Sequence, residues 1–427
     1  MSWLFTVMLL ALALLGAPLF VIIAAGALFG FYLIDMDLSV VIIEFYRLAE
    51  MPILLAIPLF TFAGYLLSES QAPARLVRLT QALLGWMPGG LAIVALITCA
   101  LFTAFTGASG VTIVALGALL YPALVRAGYQ QRFSLGLVTT SGSLGLLFAP
   151  SLPLILYGII VQQLGSEASL SIDELFLAGL LPGLLMLAVL SAWSMWRQKG
   201  LSKQAFDWRE ARAALWQAKW ELPLPFIVLG GIYSGFFAVS EAAAVTILYV
   251  FIVEVLIHRE IPWLRMPGLI REAMIMVGAI LIILGVSLAS TNYMIDAQIP
   301  SRLFAFIQSH VDNKLTFLIL LNIFLLLLGA MLDIFSALVI MVPLLLPIAM
   351  GYDIDPVHLG IIFLANMQLG YFTPPVGMNL FIASFRFNRP ITELYQSTLP
   401  FFFLLLATVI IITYWPWLSL WLPGRMG

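Results

Sequence analysis

The chain has 427 residues, of which 63% are hydrophobic and only 9% are charged, whereas a soluble globular protein carries about 25% charged residues. This composition excludes a soluble domain and predicts an all-α polytopic membrane protein. The formal net charge of -2 says little about partners, and the single cysteine, Cys99, excludes a disulfide within the chain.

Hydropathy predicts helical segments along the whole chain. In chain order they cover residues 4–33, 40–67, 72–86, 89–105, 111–125, 133–161, 175–196, 222–238, 242–257, 274–289, 315–329, 336–350, 357–385 and 399–421. The first run is long enough to remain as one helix rather than to be removed as a signal peptide. The polar connection 197–221 is rich in Lys, Arg and Trp, which predicts an amphipathic arm at the membrane surface.

Prolines interrupt two of the apolar runs. Pro150 and Pro153 break one run, and the adjacent Pro374 and Pro375 break another. A proline removes a backbone donor and prevents a regular helix, and the freed carbonyls are tolerated at membrane depth only inside protein or beside a wet cavity. Broken helices of this kind indicate an ion or solute site in a transporter.

The two breaks belong to an internal repeat. Pro150 and Pro374 lie 224 residues apart, and nearly the same offset relates the polar segments 106–110 and 331–336. We therefore predict two similar halves, each consisting of a re-entrant hairpin followed by a broken helix.

The distribution of basic residues predicts the topology. Lys and Arg mark the cytoplasmic side of short loops, and an alternating arrangement places 15 of the 19 basic residues there, with the exceptions Arg47, Arg302, Lys314 and Arg425. This arrangement has about nine spans, a cytoplasmic N-terminus and a periplasmic C-terminus. Its two hairpins enter from opposite sides, which predicts an inverted-topology repeat.

The first candidate cation site lies at the first hairpin tip and the first break. It comprises Thr106, Gly107, Ser109, Gly110, Pro150 and Ser151. Hydroxyl and carbonyl oxygens suit a hard cation such as sodium. The structural alternative is that these small residues only permit close helix packing.

The second candidate cation site lies at the mirrored position. It comprises Asp333, Ser336, Thr373, Pro374 and Gly377. A carboxylate at membrane depth is costly and indicates a function. The structural alternative is that Asp333 lies near the surface and caps the helix that contains Ser336, and the two interpretations are compatible.

Motifs for other chemistries are absent from the sequence. It contains no Walker-type Gly-x-x-x-x-Gly-Lys-Ser/Thr, no His-Glu-x-x-His and no Gly-x-Ser-x-Gly. We therefore expect no ATP site. An intramembrane enzyme is the less favoured alternative, because Asp333 has no obvious catalytic partner.

Several segments, in their order and spacing, resemble the large membrane (M-type) subunit of the TRAP transporters, the tripartite ATP-independent periplasmic solute carriers. They are Ala56-Ile57-Pro58-Leu59-Phe60, Trp86-Met87-Pro88-Gly89-Gly90, Gly230-Gly231-Ile232-Tyr233-Ser234-Gly235, Glu241-Ala242-Ala243-Ala244, Asp355-Pro356-Val357-His358 and Thr373-Pro374-Pro375-Val376-Gly377-Met378-Asn379-Leu380. The chain departs from the family's usual Thr-Pro-Thr at Ala238-Val239-Ser240, so no fixed role is expected for a hydroxyl there.

The resemblance implies a function and partners. The chain would import an acidic organic solute (a dicarboxylate, a sugar acid or sialic acid) across the bacterial inner membrane, driven by sodium. It would act with a small four-helix membrane subunit and a periplasmic substrate-binding protein, in contact with membrane lipids and without nucleic acid. A stand-alone carrier of the same fold, needing no binding protein, is the alternative.

The resemblance also implies an elevator-type ion transporter fold. Two transport halves, 89–163 and 315–385, would move against a scaffold formed by residues 1–88, 164–314 and the C-terminal helix in 386–427. The two polar clusters then become sodium sites. Ser109, Ser151 and Asn379 would bind the substrate between the hairpin tips.

Overall fold

The computed structural model describes residues 2–87, 89–164, 170–198 and 205–426. Every regular element in these residues is a helix, and nine helical segments are long and apolar enough to cross a membrane. The protein is therefore an all-α polytopic membrane protein, as its composition predicts.

The N-terminal helices do not follow the predicted spans. They are α1 (Ser2–Leu14), α2 (Leu19–Leu33), α3 (Val40–Ala49), α4 (Ala56–Glu69) and α5 (Ala72–Leu84), with a 3-10 turn at Pro52–Leu55. The single span predicted over residues 4–33 is wrong, because α1 folds back on α2 and the rings of Phe5 and Phe29 stack 3.8 Å apart. The chain reverses where Gly16 adopts a φ of +83° and Pro18 has no N–H to continue a helix.

The first half has the predicted hairpin and broken helix. The hairpin consists of α6 (Gly90–Thr106) and α7 (Ser109–Arg126). The broken helix consists of α8 (Gln131–Ser141), a 3-10 turn (Leu144–Leu147) and α9 (Leu152–Gln163). Between the turn and α9, the Ala149–Pro150 peptide bond is cis.

The middle of the chain forms long helices and the surface arm. They are α10 (Ile172–Arg197), α11 (Trp208–Gln217), α12 (Pro223–Tyr233), α13 (Val239–Val250) with a π-helical turn (Phe251–Ile257), α14 (Met266–Asp296) and α15 (Ile299–Gln308). Helix α11 buries Ala211 and Ala214 and exposes Trp208 and Trp216, so this part of the predicted arm is amphipathic. Residues 199–204 of the arm lie outside the described residues.

The second half repeats the first. Its hairpin consists of α16 (Lys314–Met331) and α17 (Ile334–Gly351), and its broken helix of α18 (Pro356–Gly370) and α19 (Met378–Phe387). The break contains a second cis peptide bond, Pro374–Pro375. The chain ends with α20 (Ile391–Tyr414), α21 (Trp417–Leu420) and α22 (Pro423–Met426).

The two halves pack against each other reciprocally. The second arm of each hairpin lies along the last part of the opposite broken helix, α7 against α19 and α17 against α9. The hydroxyl of Tyr157 in α9 donates to the carbonyl of Pro356 at the start of α18, at 2.6 Å. Helices α10 and α20 contact both halves. This reciprocity fits an inverted repeat and brings the tips and the breaks together.

Candidate functional site

The first hairpin tip lies against the first break, as the sequence predicts. Gly107, at the turn between α6 and α7, has a φ of +65°, and a Cβ atom there would lie 2.5 Å from the side chain of Leu152 at the start of α9. The hydroxyl of Thr103 donates to the carbonyl of Gly142 at 2.8 Å. Thr106 is buried beside this tip. Only a glycine fits at the turn, since a side chain would meet Leu152.

Ser109 and Asn379 join the two halves. The Ser109 hydroxyl donates to Asn379 Oδ1 at 2.8 Å, and Asn379 Nδ2 donates to the carbonyl of Thr139 at 3.4 Å. Both Ser109 and Asn379 are buried. Two of the three predicted substrate-binding residues therefore meet at one point. The third, Ser151, is fully buried at the first break, and its hydroxyl has no hydrogen-bond partner within the described residues.

Gly110 faces the second broken helix, as its neighbour Ser109 does. A Cβ atom at Gly110 would lie 2.6 Å from Cδ1 of Ile382 in α19. Gly110 therefore permits the close packing of α7 against the second broken helix, as the structural alternative for small residues proposes.

The second hairpin tip lies against the second break. The N–H of Gly377 donates to the carbonyl of Ala330 at 3.0 Å, and the N–H of Ile334 donates to the hydroxyl of Tyr371 at 2.8 Å. The Thr373 hydroxyl donates to the carbonyl of Leu369 at 2.7 Å. Pro374 is exposed. This arrangement mirrors the first tip and its break.

Asp333 caps helix α17. Its Oδ1 accepts the N–H groups of Phe335 and Ser336, both at 3.0 Å, and its Oδ2 accepts the hydroxyl of Ser336 at 2.5 Å. The structure therefore contains the helix cap that the structural alternative describes. The same carboxylate is half-buried at the hairpin tip, so capping leaves it beside the second break.

The structure adds four residues that the sequence interpretation missed. Thr139, Thr140 and Gln368 are buried, and their side-chain polar atoms have no hydrogen-bond partner within the described residues. Ser143 links the two breaks, because its hydroxyl donates to the carbonyl of Gln368 at 3.3 Å. The signal was present as a run of small polar residues at 139–143.

The chemistry of these groups suits a hard monovalent cation and a polar solute. Buried polar groups are normally hydrogen-bonded, so four unpartnered side chains around two helix breaks form a polar environment that a ligand can complete. The atoms available as ligands are hydroxyl, amide and carbonyl oxygens, which hard cations prefer. Within the described part of the chain, no three His, Cys, Asp or Glu side chains form a metal-binding group.

Comparison with known proteins gives the family. Residues 6–418 match the model of the tripartite ATP-independent periplasmic transporter, DctM component. A C4-dicarboxylate TRAP transporter large permease protein of Rhodobacter capsulatus is 33% identical over 98% of this chain and 98% of its own length. An isethionate TRAP transporter permease protein of Oleidesulfovibrio alaskensis is 35% identical over 97% of this chain, which spans 64% of that relative.

The fold has a counterpart among solved structures. The YdaH transporter of Alcanivorax borkumensis superposes with a TM-score of 0.63 over 91% of this chain and 89% of its own, at 14% sequence identity. At that sequence identity, the likeness shows a shared fold only. The family match and the full-length relative are specific, so the chain belongs to the DctM family and is the large permease of a TRAP transporter in the inner membrane, not an enzyme.

Proposed function

We propose that this protein imports an acidic organic solute by sodium-driven secondary transport with an elevator mechanism. The observation that carries the proposal is the Ser109–Asn379 contact, which joins one hairpin tip to the opposite broken helix among buried unpartnered hydroxyls. A single ligand bound there would contact both halves of the repeat at once. The bound ligand would then move together with the two transport halves when these move against the scaffold.

Sodium ions would occupy the two tip-and-break clusters. On the first broken helix the buried, unpartnered hydroxyls of Ser151, Thr139 and Thr140 offer oxygen ligands. At the second cluster the carbonyls near Gly377 and the carboxylate of Asp333 do so. A driving ion must bind the two conformations of the carrier unequally, and an ion that bridges a tip and a break stabilises their closed arrangement.

The substrate would be a small carboxylate or a related organic acid. Four helices begin at the tips and breaks: α7, α9, α17 and α19. The positive ends of their dipoles favour an anionic group. The relatives are named for C4-dicarboxylates, isethionate and ectoine, which spans several small organic acids. Dicarboxylates, sugar acids and sialic acid all remain within the class we propose.

The protein would work with two partners. A small four-helix membrane subunit would complete the membrane part, and a periplasmic binding protein would deliver the solute. We expect a cytoplasmic N-terminus and a periplasmic C-terminus from the distribution of basic residues.

Solute uptake into proteoliposomes tests this function. The chain is reconstituted with its small subunit, and labelled C4-dicarboxylates, isethionate, ectoine and sialic acid are offered with and without an inward sodium gradient and with and without the binding protein. We expect uptake that needs both sodium and the binding protein. Sodium-driven uptake without the binding protein would instead identify a stand-alone carrier, and uptake that ignores sodium would overturn the coupling.

A further inference from the structure

A cavity of about 350 Å3 opens at the end of the helical bundle where α8 begins and α10 ends. Arg132 and Arg197 line it from these two helices, and Phe133, Trp193, Trp196 and Phe401 form its apolar wall. None of the lining residues that the structure describes belongs to the hairpin tips or the helix breaks.

The two arginines of this cavity have no partner. Both are exposed, and within the described residues neither takes part in a hydrogen bond or an ion pair. None of the described residues that line the cavity is acidic. By contrast, Arg389 at the same end donates to Gln131 at 3.5 Å and pairs with Glu393 at 3.7 Å. The cavity therefore has two positive charges that nothing in the described chain neutralises.

The walls of the cavity indicate what kind of anion binds. Trp193 packs against Phe401 with a ring separation of 4.9 Å and against Phe133 at 5.5 Å, which forms a rigid apolar surface. Trp196 is 63% exposed, as expected for a tryptophan at the membrane–water boundary. An anion with a hydrocarbon tail satisfies both the arginines and the aromatic wall, and a small soluble anion satisfies only the arginines.

We propose that this cavity binds the headgroup of an anionic phospholipid, with its phosphate between Arg132 and Arg197 and its first acyl carbons against Trp193 and Trp196. Basic pockets between membrane helices on the arginine-rich side are suited to such headgroups. The bound lipid contacts α8, α10 and α20 together, so it ties the first broken helix to its neighbours. This inference does not depend on the proposed transport function.

Lipid binding to the purified full chain tests the site. Delipidated protein in detergent is titrated with phosphatidylglycerol, phosphatidylcholine or inorganic phosphate, and bound lipid is counted by native mass spectrometry. The double variant Arg132→Gln/Arg197→Gln should bind phosphatidylglycerol about twenty-five-fold more weakly than the wild type, since one arginine near an anionic lipid contributes about fivefold. Both side chains are exposed and unpartnered, so their replacement leaves the fold intact.

A matched double variant separates the cavity from general surface charge. Arg209→Gln/Arg212→Gln removes the same charge from the exposed face of α11 and should bind phosphatidylglycerol like the wild type. Equal loss in both double variants would overturn the site. If inorganic phosphate binds the wild type as tightly as phosphatidylglycerol does, the cavity takes a free anion and the lipid proposal is wrong.

Discussion

At the scale of single residues, Arg75 shows how the protein holds charge inside a helical bundle. Its guanidinium pairs with Glu221 and Glu260 and donates to Glu254 Oε2 at 2.8 Å. The side chains of Arg75, Glu221 and Glu254 are 4%, 4% and 1% exposed. Burial opposes ionisation of Glu260, but the hydrogen bonds from Arg75 and from the N–H of Gln71 outweigh it and lower its pKa. The cluster joins α5, the turn just before α12, the π-helical turn and the loop that follows it.

Arg75→Ala should strongly destabilise the protein. It leaves two carboxylates buried without a cation, and breaking a buried ion pair in this way costs about 3–5 kcal/mol. Thermal unfolding in detergent would measure the loss. The matched control is Arg78→Ala, whose partner Glu210 is exposed, and an exposed pair contributes about 0–1 kcal/mol. Equal unfolding temperatures for the two variants would show that the Arg75 cluster is not a stabilising contact.

Ser109→Ala tests the residue that links the two halves. It removes a hydroxyl of the first candidate cation site and leaves Asn379 Oδ1 without its donor. A lost contact of about 1 kcal/mol should raise the sodium concentration for half-maximal uptake about fivefold. The protein should still reach the membrane in normal amounts. Ser68→Ala is the control, because the Ser68 hydroxyl only donates to the carbonyl of Tyr65 in α4. Unchanged sodium dependence in Ser109→Ala would remove Ser109 from the site.

At the scale of elements, the helix breaks indicate where the candidate site lies better than the membrane-spanning helices do. Each broken helix ends near a hairpin tip and starts again with an N-terminus that faces the same region. At the second break, Gly377 adopts a φ of +58°, and a Cβ atom there would lie 2.8 Å from the carbonyl oxygen of Thr373. Proline and glycine together fix a backbone path that no regular helix can follow.

Replacing Pro374 and Pro375 by alanine should impair transport more than membrane insertion. The alanines restore two backbone N–H groups and permit α18 to extend into the break, which displaces the carbonyls beside Gly377. We expect at least a tenfold loss of the uptake rate at unchanged protein level. Pro267→Ala is the control, since Pro267 is exposed in the first turn of α14, where proline is readily tolerated. Normal uptake in the double variant would mean that the break is only a packing kink.

The elements of the transport halves could be predicted from the sequence because their interruptions are local. Prolines and glycines mark each break, glycines mark the first tip and Asp333 marks the second, and an offset of about 224 residues relates the two halves. The family resemblance placed Ser109 and Asn379 in one site, but their hydrogen bond could not be predicted from local patterns, because it joins residues 270 positions apart. The reversal at Gly16 was also missed, since both α1 and α2 are apolar and hydropathy alone cannot divide them.

At the scale of the whole molecule, polar contacts join the scaffold helices to the transport halves, and two of them show what a movement of the halves must break. Gln163 Nε2 at the end of α9 donates to Met51 Sδ at 3.0 Å, and the Ser287 hydroxyl in α14 donates to the carbonyl of Val339 in α17 at 2.7 Å. A Cβ atom at Gly64 of α4 would lie 2.6 Å from the Cα of Thr106. An elevator movement must break the first two contacts and slide the halves past α4.

Cross-linking across the first of these contacts would test the elevator directly. In a protein with Met51→Cys and Gln163→Cys, a short reducible bifunctional thiol reagent should join the end of α9 to the chain just before the Pro52 turn and stop uptake. Reduction should restore it. Cys99 is buried and does not compete for the reagent, and the two single-cysteine proteins control for modification alone.

The control pair for this experiment lies within the moving part. Arg386 Nε in α19 donates to the carbonyl of Val114 in α7 at 3.0 Å, and both helices belong to the transport halves. Cross-linking Val114→Cys to Arg386→Cys should therefore leave uptake unchanged, because the two helices move together. If complete cross-linking of the Met51 and Gln163 cysteines also left uptake unchanged, the halves would not move past the scaffold. The solute would then have to cross by a local rearrangement of the tips.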